Sequence, residues 1–166
     1  MESLRRWYGR CILEKGKETF LWAFIAFGIS VGISRAIVLD VEKGKAIFGY
    51  LYIKGYHIHH FYWGILLLIF SSWLTLIRYK RLHRRVFKGI ASIMFGGGLG
   101  LVVDEFWLLL TEFGIKGNSQ SYYAIITRDE LLLQLMRDNY WAPQSYYAIG
   151  VTSAIFLAYL LFLRAD

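Results

Sequence analysis

Apolar residues fill four long blocks of the chain, and the charged residues gather between them. The first block, Thr19 to Leu39, reads TFLWAFIAFGISVGISRAIVL. The second runs from Ile58 to Ile77, and the third from Gly89 to Leu110 reads GIASIMFGGGLGLVVDEFWLLL. The fourth runs from Ser145 to Phe162, and the lone proline, Pro143, stands just before it, where a helix start tolerates the missing N–H. Crossing the hydrocarbon core of a bilayer takes about 20 apolar residues at 1.5 Å each. The pattern therefore predicts an all-α integral membrane bundle of four transmembrane helices. It forms one domain over residues 1–166, with a basic tail at 1–18.

Composition agrees. Apolar residues make up 57% of the chain and charged residues 19%, below the quarter or so of a soluble domain. The net charge of +7 would suggest nucleic acid in a soluble protein. Here the basic residues flank the apolar blocks, so topology and lipid headgroups account for them, and no nucleic-acid partner is expected. A single cysteine, Cys11, excludes an internal disulfide and a Cys-rich metal site. The N-terminal stretch MESLRRWYGRCILEKGKETF lacks a compact apolar core before a small-residue cleavage site, so it reads as a retained cytoplasmic segment.

The loop RYKRLHRRVFK between the second and third blocks holds six basic residues and no acid. The tail adds Arg5, Arg6, Arg10, Lys15 and Lys17, whereas residues 111–144 carry both signs. The positive-inside rule then places both termini and the 78–88 loop in the cytoplasm of a multi-pass cell-membrane protein. Within the outer loop, RDELLLQLMRDNYW has the spacing of a short amphipathic helix on the membrane surface, closed by Tyr140 and Trp141. The hexapeptide QSYYAI occurs at 120–125 and again at 144–149, too short a match to make an internal repeat.

Charges inside a span are costly and flag function by default. The third block holds Asp104 and Glu105 side by side, the first holds Arg35, and the second opens on YHIHHFYWG, with His57, His59 and His60. The second and third spans form an antiparallel hairpin centred near position 82, and His60 and Asp104 stand equally far from it. They are therefore expected at one depth. The same register pairs Gly64 with Gly100. Gly97, Gly100 and Asp104 fall on one helical face, as do His60, Gly64 and Ser71, so the small residues predict close packing that carries His60 to Asp104.

Imidazole and carboxylate together suit Zn, Fe, Mn, Co or Ni as the divalent ion. His57, His59, His60 and Asp104 are the expected ligands. A helix beginning by residue 57 puts His57 and His60 on one face, whereas an extended 57–59 puts His57 and His59 together. Glu105, about 100° from Asp104 on a continuous helix, is expected to orient a histidine, act as general base or bind a second metal. Arg35 pairs with a carboxylate or holds an anionic group of a substrate. Plain alternatives stand beside these readings. The histidines serve as interfacial anchors, Arg35 only neutralises a carboxylate, and the glycines of FGGGLG serve packing, since no Lys-Ser/Thr follows as a phosphate loop requires.

HIHHFYWGILLL together with GGGLGLVVDEFW resembles a group of small, uncharacterised prokaryotic multi-pass membrane proteins. These share an Ile-His-His-aromatic segment and a Gly-rich span ending in Asp-Glu-Phe. The likeness covers residues 57–68 and 96–107, and the 111–144 segment departs from it. It implies that His59, His60, Asp104 and Glu105 form one constellation, and it carries no activity. The expected function is a metal site near the outer face, with Glu105 and Arg35 as catalytic residues of a metal-dependent hydrolase. Its partners are the bilayer and a lipid or other membrane-embedded substrate. The alternatives are an ion or proton transporter or channel subunit, which needs a homo-oligomer, and a structural protein with a self-satisfied polar cluster.

Overall fold

The computed structural model describes residues 9, 12, 17–42, 52–53, 56–57, 59–77, 84–115, 134 and 137–162. Helix α1 spans Glu18–Glu42. Two-residue strands follow, β1 (Tyr52–Ile53) and β2 (Tyr56–His57), paired antiparallel with Tyr52 opposite His57. Then come α2 (His60–Leu76), α3 (Arg84–Asp104), α4 (Phe106–Ile115) and α5 (Pro143–Phe162). Pro143 takes the first helical position of α5, where its missing N–H costs nothing.

Three helical stretches are long and apolar enough to cross a bilayer: Glu18–Asp40, Arg85–Asp104 and Arg137–Phe162. The second apolar block forms a shorter helix, His60–Leu76. Large apolar side chains face outward, among them Ile29, Ile33, Ile69, Trp73, Val151 and Ile155, each more than half exposed. A continuous apolar exterior of this kind calls for lipid around it. The core cluster is Ala23, Phe27, Val31 and Phe156, and small residues stand where the helices cross most closely, as membrane helices require.

α3 lies between α1 and α2 and packs along both. Its glycines are therefore divided between two neighbours. Gly98 meets Gly64 of α2, whereas Gly96 lies on the backbone of Ala23 and Gly100 on Phe27 and Ser30 of α1. The expected Gly64–Gly100 pairing is thus displaced by two residues, and Gly97 and Gly100 do not face α2. Gly97 instead offers its carbonyl to the Ser30 hydroxyl at 2.8 Å. On the α2 side, the buried Ser71 hydroxyl reaches the Ala91 carbonyl at 2.8 Å. Both pairs, 64 with 98 and 71 with 91, are symmetric about position 81.

α5 closes against α1 through aromatic contacts. Phe20 stacks on Tyr159 with ring centroids 3.7 Å apart, and Phe24 and Phe27 pack on Phe156. Lys17, placed by its sequence in a tail of topology-setting charges, is 1% exposed and donates to the carbonyls of Tyr159 and Leu160. An ammonium at the C-terminal end of α5 meets carbonyls that no helical N–H reaches.

The third apolar block is not one helix. α3 ends at Asp104, Glu105 adopts a turn, and α4 begins at Phe106. The expected amphipathic helix at 128–141 lies largely outside the described residues, as do the first QSYYAI segment and residues 78–83 of the basic loop. Residues 137–140 are helical and lead into α5.

Candidate functional site

The break at Glu105 builds the site. On a continuous helix, Asp104 and Glu105 would diverge. Here both are buried, at 1% and 4% exposure, and both reach the start of α2. His59 precedes the helix in extended conformation, and His60 is its first residue. β2 is extended through His57, so the backbone follows the extended alternative; the His57 side chain lies outside the described residues.

Glu105 uses both oxygens. Oε1 lies 2.9 Å from His59 Nδ1 and 3.4 Å from His60 Nδ1. Oε2 accepts the Phe61 backbone N–H at 2.9 Å. His59 makes no side-chain cap of its own. Glu105 therefore supplies, from the turn between α3 and α4, an acceptor for one of the free N–H groups at the start of α2, and its charge suits the positive end of the helix dipole.

Asp104 sits one step further in. Its Oδ1 accepts Arg35 Nε at 2.8 Å. Its Oδ2 accepts the Tyr140 hydroxyl at 2.5 Å and faces His60 Nε2 at 3.1 Å. The Arg35 side chain is 12% exposed and Asp104 fully buried, so the pair is shielded from solvent. Arg35 Nη2 donates to the Ser145 hydroxyl at 2.9 Å, and that hydroxyl turns its own proton toward the carbonyls of Tyr140 and Ala142. The guanidinium lies among aromatic rings, 4.2 Å from the Tyr146 centroid, 5.2 Å from Trp141 and 5.3 Å from Tyr140. Arg35 Nη1 is buried with no hydrogen-bond partner among the described residues.

Of the residues expected in the site, Arg35, His59, His60, Asp104 and Glu105 come together. Among the described residues, no three His, Cys, Asp or Glu side chains converge in the geometry of a metal centre. Sequence reasoning missed Tyr140 and Ser145. Tyr140 reads as one more interfacial aromatic and Ser145 as a helix-start residue, and only the return of α5 beside α1 and α4 brings them to Arg35 and Asp104. No family model matches the chain, and neither does any curated protein or solved structure.

Proposed function

We propose that the chain is a four-span membrane protein, its termini and 78–88 loop cytoplasmic, with a polar centre toward the outer face that holds a divalent cation. The observation that carries this reading is the contact of His60 Nε2 with Asp104 Oδ2 at 3.1 Å. Arg35 and the Tyr140 hydroxyl already meet Asp104, and the charge of Glu105 falls on two imidazoles and a backbone N–H. In the tautomer that carries its proton on Nδ1, toward Glu105 Oε1 at 3.4 Å, His60 presents an Nε2 lone pair to a carboxylate oxygen; with the proton on Nε2 the ring donates to Asp104 instead. Two lone pairs at that distance require positive charge between them. Donor atoms sharing one ion at about 2.0–2.2 Å stand about 3–3.5 Å apart, depending on whether the geometry is octahedral or tetrahedral.

In this reading His60 and Asp104 are ligands, with His57 and His59 the remaining candidates. Glu105 orients the rings, as a carboxylate behind a metal-bound histidine does. A bound metal supplies activated water at neutral pH. Arg35, held through Nε and Nη2, keeps Nη1 for an anionic group. The reaction class assigned is hydrolysis of a lipid or other membrane-embedded substrate. The likeness of residues 57–68 and 96–107 to the small prokaryotic membrane proteins supports treating these residues as one unit.

A second reading rests on the same ring. Both nitrogens of His60 face carboxylates, at 3.1 and 3.4 Å, as those of an imidazolium would, which suits a proton or ion path. Elemental analysis of the detergent-purified, untagged protein beside a His57→Ala/His60→Ala variant separates the two. Near-stoichiometric metal lost in the variant is the expected result. No metal after Zn²⁺, Fe²⁺, Mn²⁺, Co²⁺ and Ni²⁺ have been offered overturns the metal reading in favour of the proton.

A further inference from the structure

At the opposite end of α3 from Asp104, a partly open crevice of about 330 Å³ lies among α1, α2, α3 and α5. Ala91 and Asp104 are 13 residues apart on one helix, about 20 Å at 1.5 Å per residue. The small side chains of Ala23 and Ala91 leave the room, and the size falls in the range of ligand pockets, about 300–1,000 Å³.

Its walls look polar in sequence, yet four of their five hydroxyl residues turn their protons to backbone carbonyls. Ser71 donates to Ala91 O at 2.8 Å, Ser72 to Leu68 O at 2.8 Å, Thr75 to Ser72 O at 2.7 Å and Ser92 to Lys88 O at 2.8 Å. With those hydroxyl protons committed to backbone carbonyls, they offer no donor to a polar guest. Ser72 and Thr75 are exposed, so the crevice opens where lipid surrounds the protein. Its nearer end is basic. Lys88 lies one turn before Ser92, and Arg85, 82% exposed, reaches Glu18, the neighbour of the lining residue Thr19. Both cations stand in the first turns of α3, whose N-terminal dipole also favours negative charge.

We propose that this crevice binds one anionic phospholipid, an acyl chain between the helices and the phosphate at Arg85 and Lys88. The site is independent of the His/Asp/Glu centre. A basic side chain at a membrane surface favours an anionic lipid by about five-fold each. The test offers delipidated full-length protein phosphatidylglycerol or phosphatidylcholine of matched chain length and reads retained lipid by native mass spectrometry.

The wild type should retain one phosphatidylglycerol, at least five-fold over phosphatidylcholine. Arg85→Gln/Lys88→Gln should lose the preference while still retaining a lipid. Ser72→Phe/Thr75→Phe, at exposed positions that tolerate an aromatic, should retain neither lipid at an unchanged helical signal. Equal retention of both lipids by the wild type, or undiminished retention by the phenylalanine variant, overturns the proposal.

Discussion

Gly64 and Gly98 meet backbone to backbone: a Cβ built on either would lie 2.7 Å from the carbonyl oxygen of the other. The atom in the way is main chain, so neither helix can yield by turning a side chain. Alanine is the better helix former by about 1 kcal/mol. Gly64→Ala should nevertheless destabilise the protein, by about 1–3 kcal/mol, as overpacking does. Gly28→Ala on α1 is the control, because nothing lies within 4 Å of its Cβ position. Circular dichroism of denaturant-induced unfolding in micelles should show a lower midpoint for the first variant and an equal or higher one for the second.

Asp104→Asn removes the charge that balances a guanidinium only 12% exposed. Breaking such a pair from one side costs about 3–5 kcal/mol. The double variant Arg35→Met/Asp104→Leu should lose less than the two single changes added together. A double-mutant cycle in the same unfolding assay measures the difference.

Tyr140→Phe deletes only the hydroxyl that Asp104 Oδ2 accepts. A hydrogen bond to an ionised partner is worth about 1.5–3 kcal/mol. The loss should fall in that range and should shrink, to the roughly 0.5–1.5 kcal/mol of a neutral hydrogen bond, when Asp104 is already Asn.

Lys17→Gln should loosen one place. The carbonyls of Tyr159 and Leu160 lose their ammonium, at a cost of about 0.3–2 kcal/mol. Hydrogen exchange should quicken in the last turn of α5 while the amides around Asp104 stay protected.

The sequence shows the apolar blocks plainly, because lipid sets their length and composition. It also shows that His60 and Asp104 share a depth, because two helices joined by a short loop rise at the same rate. The division of Gly96, Gly98 and Gly100 between two neighbours was not legible. Periodicity tells which residues share a face, not how many helices pack on it. Nor was the break at Glu105, since an apolar run through Leu110 reads as a continuous helix, and nothing local shows that the Phe61 N–H takes the carboxylate. Tyr140 and Ser145 join Arg35 from more than a hundred residues away, and no local pattern encodes that. Lys17 looked like any tail lysine.

The bond from Phe61 N–H to Glu105 joins residues 44 apart in sequence. The first turn of α2 is thus completed by an acceptor that leaves the ribosome a whole helix later. Until α3 has been made, the Phe61 N–H at the start of α2 lacks this acceptor. The contact works as a latch that ties the end of α3 to the start of α2, at the end that carries the histidines.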